Sequence, residues 1–344
     1  MKYSRVCLHS FGYELPPNVV TSADIEARLA PVYERLKLPE GRLELMSGIK
    51  SRRFWNPGTR PSEGATLAGR KALLASGIDA SQIDFLVFCS VSRDMMEPAT
   101  AAFVHRSLGL PERCQIFDIS NACLGFLNGM IMLANMIELG QARAGLIVAG
   151  ETAEELVQST IDYLLTDTGL TRKTIKSAFA SLTIGSGAVA LVMGDRKLKD
   201  SGHRLAVAAC RANTRHNDLC QGGQNAEQGT LMSTDSELLL TEGVATAQKC
   251  WQDFLEESGW KKEEIDSFFC HQVGRAHARQ LFTTLELDPQ RNFETLPILG
   301  NVGSVSAPVT LAMGIEKGAL ASGRRGAVLG IGSGINSLML GLEW

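Results

Sequence analysis

No two cysteines of this chain form a C-x-x-C pair. Cys7, Cys89, Cys114, Cys123, Cys210, Cys220, Cys250 and Cys270 stand singly, which argues against a zinc site. His105, His203 and His216 show no metal-ligand spacing, so no metal is expected. An excess of charge is missing as well. A net charge of −3 gives no general reason to expect nucleic acid or an anionic membrane surface as a partner. Any anionic ligand must then be met by a local basic patch. The opening MKYSRVCLHSFGYELP lacks an apolar signal core, so a cytoplasmic protein with reduced thiols is expected. No nicotinamide or flavin motif is present. The G-x-G elements at 185–187 and 330–334 lie at strand ends without a helix-opening context and read as turns. No cofactor is expected.

What the chain has is apolar residue: 344 residues, 44% hydrophobic, enough for two domains or for one domain made of two halves. Residues 119–137 and 295–315 carry no charge at all. Their length is near that of a membrane span. The first holds Ser120, Asn121, Asn128 and Asn135, and the second holds Pro297, Asn301 and Pro308. Both are therefore read as helices buried at the centre of a soluble protein, apolar on every side.

The chain also repeats itself. IDFLVFCSVSR from Ile83 is matched by IDSFFCHQVGR from Ile265. NACLGFLNGM from Asn121 is matched by NVGSVSAPVTLAMG from Asn301, and LIVAGE from Leu146 by AVLGIG from Ala327. The three pairs keep one order and nearly one spacing, about half a chain. Helices over 62–76 and 237–258 precede the first strand of each copy, the second with apolar positions at helical period. Strands alternating with helices imply a mixed or mostly parallel sheet in each half. Packed through their uncharged helices, the halves give an α/β fold of five layers, αβαβα. The boundary falls near residue 197: residues 1–196 form the N-terminal half, with a helical insertion near 154–181, and residues 197–344 the C-terminal half.

FDISNACLGFLNGM places a thiol, Cys123, where a strand ends and an uncharged helix begins. There the helix dipole and unpaired N–H groups favour thiolate. Free cysteine is as often a small buried hydrophobe. The repeat brings in two more groups. The loop after the equivalent second-half strand carries His271, and the copy of the cysteine turn carries Asn301. If the halves meet at these turns, thiol, imidazole and carboxamide converge, as acyl transfer needs.

NACLGF at Cys123, HQV at His271, GNVGSVSAP at Asn301 and the terminal GIGSGIN, in that order over nearly the whole chain, resemble the thiolase superfamily in its ketoacyl-ACP synthase III branch. The resemblance implies a thiolase-like fold of two duplicated halves, with mixed sheets around two buried central helices. It implies Cys123 as acyl acceptor and His271 and Asn301 at the oxyanion and carbanion site. It also implies a homodimer with first-half strands paired across its interface.

The branch is indicated by VSRDMMEPAT. Ordinary ketoacyl-ACP synthase III enzymes carry an aromatic residue where Glu97 stands. SVSRD-x-x-EP-x-T, with SGIKSRRFWNPG, GETAEELV and the HNDLC stretch, is similar to the OleA-type condensing enzymes of bacterial olefin biosynthesis. A decarboxylating synthase generates its carbanion by losing CO₂. Joining two plain acyl thioesters requires removal of an α-proton, a task for a partly buried carboxylate of raised pKa. The resemblance thus implies an acyltransferase that condenses two fatty acyl-CoA thioesters without decarboxylation. Glu97 of one subunit serves its partner, and a β-keto acid is the product. Lys50, Arg52, Arg53, Trp55 and Arg215 are candidates to hold the nucleotide end of CoA, which enters as part of the substrate. HQVGRAHARQ departs from the HQAN and basic helix of the carrier-protein synthases, though Arg275 and Arg279 keep some positive charge, and His277 is read as facing solvent. Acyl carrier protein and downstream lipid-processing enzymes are the other partners considered. Three competing readings stand beside the main one. The first is decarboxylative condensation of acyl-CoA with malonyl-ACP. The second is a non-catalytic lipid-binding subunit of a condensing complex, and the third a cysteine acyltransferase making ester, amide or thioester bonds.

Overall fold

The computed structural model describes residues 1–225 and 229–344. Its first half opens with strand β1 (Val6–Glu14) and the ribbon β2 (Asn18–Thr21). Three short helices follow, α1 (Ser22–Arg28), α2 (Ala30–Leu36) and α3 (Arg42–Ser47), and then β3 (Ser51–Phe54), which pairs with β2. Helix α4 (Pro61–Ser76) leads to β4 (Phe85–Cys89), α5 (Thr100–Leu108) and β5 (Gln115–Ile119). The uncharged run becomes α6 (Gly125–Glu138), followed by β6 (Ala144–Glu151), α7 (Glu154–Thr166), α8 (Lys176–Phe179) and β7 (Gly187–Asp195).

The second half repeats the plan. Strand β8 (Arg204–Ala212) precedes the antiparallel pair β9 (Cys220–Asn225) and β10 (Gly229–Thr234), then the long helix α9 (Ser236–Ser258). Strand β11 (Ser267–Cys270), α10 (Arg275–Leu285), α11 (Leu296–Leu299) and α12 (Ser306–Glu316) come next, and β12 (Arg325–Gly332) and β13 (Asn336–Glu343) end the chain.

Sheet order shows the duplication. The first half runs β5-β4-β6-β7-β1 and the second β8-β13-β12-β11, extended past β11 by a single parallel bridge from Phe268 to Asn292. β4 lies parallel to β6 and β11 parallel to β12, while β7 and β13 close each half antiparallel. The two halves join edge to edge at the equivalent strands β1 and β8, where Cys7 pairs with Arg204.

The inner strands β4, β6 and β7 are buried on both faces, so they read as near-continuous apolar runs. In β4, Phe85, Val87 and Cys89 face the central layer while Leu86 and Phe88 face α4 and α5. In β12, Val328 faces the central layer while Ala327 and Leu329 face α9 and α10. The central layer is α6 and α12. Small residues let α6 lie close: a Cβ on Gly129 would stand 2.6 Å from the Cys89 sulfur. The five-layer α/β sandwich expected from the repeat is thus the observed fold. Among the described residues no helix is long and apolar enough to cross a membrane.

Two local expectations need correction. Gly330 and Gly332 are not turn residues: both lie within β12, where a Cβ would meet the Leu124 side chain at 2.6 and 2.9 Å. Strand glycine here serves close approach, not reversal. His277 does not face solvent. It is half-buried on α10 and lines a cavity of about 30 Å³ with His271, Gln272 and Asn292.

Candidate active site

The nucleophile turn is built from both halves. Past β5 the chain reverses at 121–124, with the Leu124 N–H donating to the Asn121 carbonyl at 3.0 Å. Ala122 holds φ 45°, in the left-handed region. For a residue with a β-carbon that conformation costs about 1–2 kcal/mol. The turn is held by side chains on either side. Asn121 Nδ2 donates to Asn128 Oδ1 on α6 at 2.7 Å, and Asn336 Nδ2 donates to Asn121 Oδ1 at 3.0 Å. Asn336 belongs to the terminal GSGIN, so the C-terminal half fixes the loop on which Cys123 stands. Leu124 fills the groove left open by Gly330 and Gly332.

His271 follows β11, and its N–H donates to Leu329 of β12 at 2.8 Å, one residue from Gly330. It therefore stands beside the strand on which the Cys123 turn rests. Its neighbour Gln272 is buried and does the anchoring. Gln272 Nε2 donates to the Phe293 carbonyl at 2.9 Å, and Oε1 accepts from the N–H groups of Thr295 and Leu296 at 2.9 and 2.6 Å. That segment leads to Asn301, which is clamped in turn. The Asn301 N–H donates to the Thr183 carbonyl at 3.0 Å, and its own carbonyl accepts from the Gly185 N–H at 2.8 Å. Gly303 N–H donates to Asn301 Oδ1 at 3.1 Å, which leaves the amide NH₂ as the end offered to an incoming oxygen. Cys123 and Asn301 thus occupy matching turns before the central helices α6 and α12.

Burial sets the electrostatics. The Cys123 thiol is pushed up to about 12 by desolvation, with Cys220 and the Glu151 carboxylate adding to the effect. Desolvation thus opposes the thiolate expected from the helix terminus and favours the protonated sulfur. His271 is pushed down to about 3, first by burial and then by neighbouring His277, which burial itself lowers to about 4. Both rings are neutral near pH 7. Neither ring nitrogen of His271 has a partner among the described residues. A neutral imidazole presents one N–H donor and one acceptor, suited to a developing oxyanion.

Glu97 lies on the loop between β4 and α5 and is exposed, so the expected partial burial is not met within one chain. The loop carries its side chain away from the core of its own half. Val91, Met95 and Met96 beside it are also exposed, Met96 at 93%.

The CoA candidates divide. Arg52 is fully buried and donates to Ser22 Oγ at 3.1 Å; burial lowers its pKa to about 10. Alternation along β3 turns Arg52 and Phe54 inward and leaves Arg53 outward. Arg52 thus cannot meet a phosphate in solvent. It supports the Asn301 turn, its Cβ 3.2–3.3 Å from where Cβ atoms on Gly185 and Gly300 would be. Trp55 is buried too, its Nε1 donating to the Glu151 carbonyl at 3.0 Å, so its face is closed to adenine. Lys50 and Arg215 are exposed, and Arg53 is half-exposed with one guanidinium nitrogen on the Pro16 carbonyl at 2.9 Å. Arg275 packs over Gly48, close in sequence to Lys50.

Sequence reasoning did not single out Asn121, Asn336, Gln272 or Glu151. All four lie inside quoted stretches, NACLGF, GSGIN, HQV and GETAEELV, so a signal was present, but spacing alone does not say which member of a motif holds the others.

The family model for 3-oxoacyl-[acyl-carrier-protein] synthase III matches residues 117–213, and that for its C-terminal part matches residues 255–344. An acyl-CoA:acyl-CoA alkyltransferase of Shewanella oneidensis is 42% identical over the full length of both chains, and one of Xanthomonas campestris is 37% identical over the same extent. A beta-ketoacyl-[acyl-carrier-protein] synthase III of Neisseria meningitidis is 26% identical over 97% of each chain. Among solved structures, a cysteine variant of Xanthomonas campestris OleA superimposes with a TM-score of 0.95 at 37% identity, covering 100% of this chain and 98% of that one. Cerulenin-bound OleA gives the same score and coverage.

Proposed function

This chain belongs to the 3-oxoacyl-[acyl-carrier-protein] synthase III family, with acyl-CoA:acyl-CoA alkyltransferases as full-length relatives, and from that premise we propose that it joins two fatty acyl-CoA thioesters head to head. Cys123 attacks the first thioester. Its sulfur bonds to the acyl carbon, CoA leaves as a thiol, and the thiol proton passes through the neutral His271 ring. Glu97 of a partner subunit then takes an α-proton from the second acyl-CoA. The enolate oxygen is held by His271 and the NH₂ of Asn301. The α-carbon attacks the Cys123 thioester, the sulfur leaves, and it recovers the proton that Glu97 carries. Water cleaves the β-ketoacyl-CoA to a β-keto acid and a second CoA. Each step is redox-neutral.

The carboxylate at position 97 is the observation that carries this reading. A decarboxylating synthase has no proton to remove there. The glutamate and the cysteine replaced in the Xanthomonas campestris OleA variants are as far apart in sequence as Glu97 and Cys123. A homodimer that pairs the exposed edge strand β5 with its copy supplies the partner. Val91, Met95 and Met96 are the apolar surface such a contact covers. Lys50, Arg53 and Arg215 remain for the CoA phosphates, with Arg275 beside them. The β-keto acid passes to downstream lipid-processing enzymes.

Purified protein given one long-chain acyl-CoA and no malonyl donor should release CoA and yield a β-keto acid, or its decarboxylated ketone, built from two chains. Cys123→Ala should abolish the acyl-enzyme seen by mass spectrometry. Glu97→Ala should keep it and lose the coupled product by 100-fold or more, on the order expected for a lost general base. Coupling by wild type only when malonyl-ACP is present would overturn the reading.

A further inference from the structure

Glu151, the last residue of β6, is buried, and its carboxylate accepts five hydrogen bonds from two separate segments. From the loop that leads to Glu97, the Val91 N–H donates to Oε1 at 3.0 Å. The Ser92 N–H and Oγ donate to Oε2 at 3.0 and 2.7 Å. From the turn that follows Asn301, the Ser304 N–H and Oγ donate to Oε1 at 3.3 and 2.6 Å. Each oxygen is therefore shared out: Oε2 holds the loop, and Oε1 holds both loop and turn. A carboxylate is acceptor-only at both oxygens, and no other side chain of its length meets five donors at once.

The surroundings fit this use. The Thr152 N–H, next to Glu151, donates to Ser92 Oγ at 3.1 Å and so steadies the loop end of the contact. Gly303 holds φ 54°, where a β-carbon is strained, and a Cβ there would crowd Glu151 Oε1 at 3.1 Å. The backbone of Glu151 also carries the buried Trp55 on its carbonyl.

We propose that Glu151 is a positioning residue for the condensation step, holding the loop that delivers Glu97 in fixed register with the turn that carries Asn301. The inference rests on the function proposed above. Deprotonation of the second acyl chain and stabilisation of its enolate oxygen are one event. The groups responsible must hold their places together, and misplacement by about 1 Å costs about 100-fold. Acylation of Cys123 needs neither Glu97 nor its loop.

Wild type and variants are compared in three readouts: acyl-enzyme formation by mass spectrometry, formation of coupled product, and thermal midpoint. Glu151→Gln puts an NH₂ where two or three donors point. It should keep acyl-enzyme formation, faster rather than slower because the charge that helps to raise the Cys123 thiol is gone, and lose coupling by about 100-fold. Ser92→Ala removes one donor on the loop side and Ser304→Ala one on the turn side. Each should cost coupling about tenfold with acylation unchanged. Glu151→Asp, too short to span both segments, should fall between. These serine variants keep the test open if Glu151→Gln does not fold. Coupling at the wild-type rate in Glu151→Gln, or in both serine variants, would overturn the proposal. So would equal loss of acylation and coupling in proportion to a lowered thermal midpoint. If wild type itself acylates but never couples, the failure belongs to the proposed function, and the variants then show no difference to compare.

Discussion

Cys123 illustrates how one residue's chemistry is set by its surroundings. The sequence placed it before a helix, which favours thiolate, yet burial dominates and holds the thiol at about 12. At pH 7 only a small fraction of the sulfur is then ionised. Iodoacetamide should react with Cys123 slowly at neutral pH, with a rate rising about tenfold per unit up to pH 10, since only thiolate attacks. A rate already level at pH 8, followed by mass spectrometry of the Cys123 peptide, would show the dipole winning. Arg52 is the same lesson with a cation. Three basic residues close together looked like a phosphate patch, but a strand presents neighbouring side chains to opposite faces, and burial went to Arg52.

Elements were more legible than residues. Strands buried on both faces read as near-continuous apolar runs, and helices without charge before their last residue read as central, so β4, β12, α6 and α12 were visible in the letters. The role of glycine in β12 was not, because the need for it comes from Leu124, far away in sequence. Gly330→Ala should therefore act twice. A Cβ 2.6 Å from Leu124 Cδ2 should cost about 1–3 kcal/mol in a urea titration and slow acylation of Cys123, because Leu124 adjoins the nucleophile. Unchanged acylation with lowered stability would limit its role to packing.

At the scale of the molecule, the candidate site draws on both halves: Cys123 from the first, His271 and Asn301 from the second, with Glu151 and Asn336 holding the turns across them. Glu97 points out of both. If it serves a partner, complementation follows. Mixed dimers of Cys123→Ala with Glu97→Ala subunits pair one intact cysteine with one intact base in the same site. Two inactive preparations, unfolded together and refolded, should regain about a quarter of wild-type coupling. That is the statistical yield of one working site in half of the dimers, on the expectation of isologous pairing. No regain, with mixed dimers verified by native mass spectrometry, would place the base within its own subunit.

The sequence alone determined the repeat and the two central helices, and it named the three residue types of the candidate site. These are local facts: hydrophobic period, absence of charge, and motifs that recur at one spacing. Which cation is buried, which glycine makes room, what holds Asn121, and how the Glu97 loop is tied to the Asn301 turn were decided only by tertiary structure. Each depends on which atoms of distant segments come within a few ångströms of one another. A carboxylate such as Glu151 bears no mark in the sequence of the five donors that will close on it.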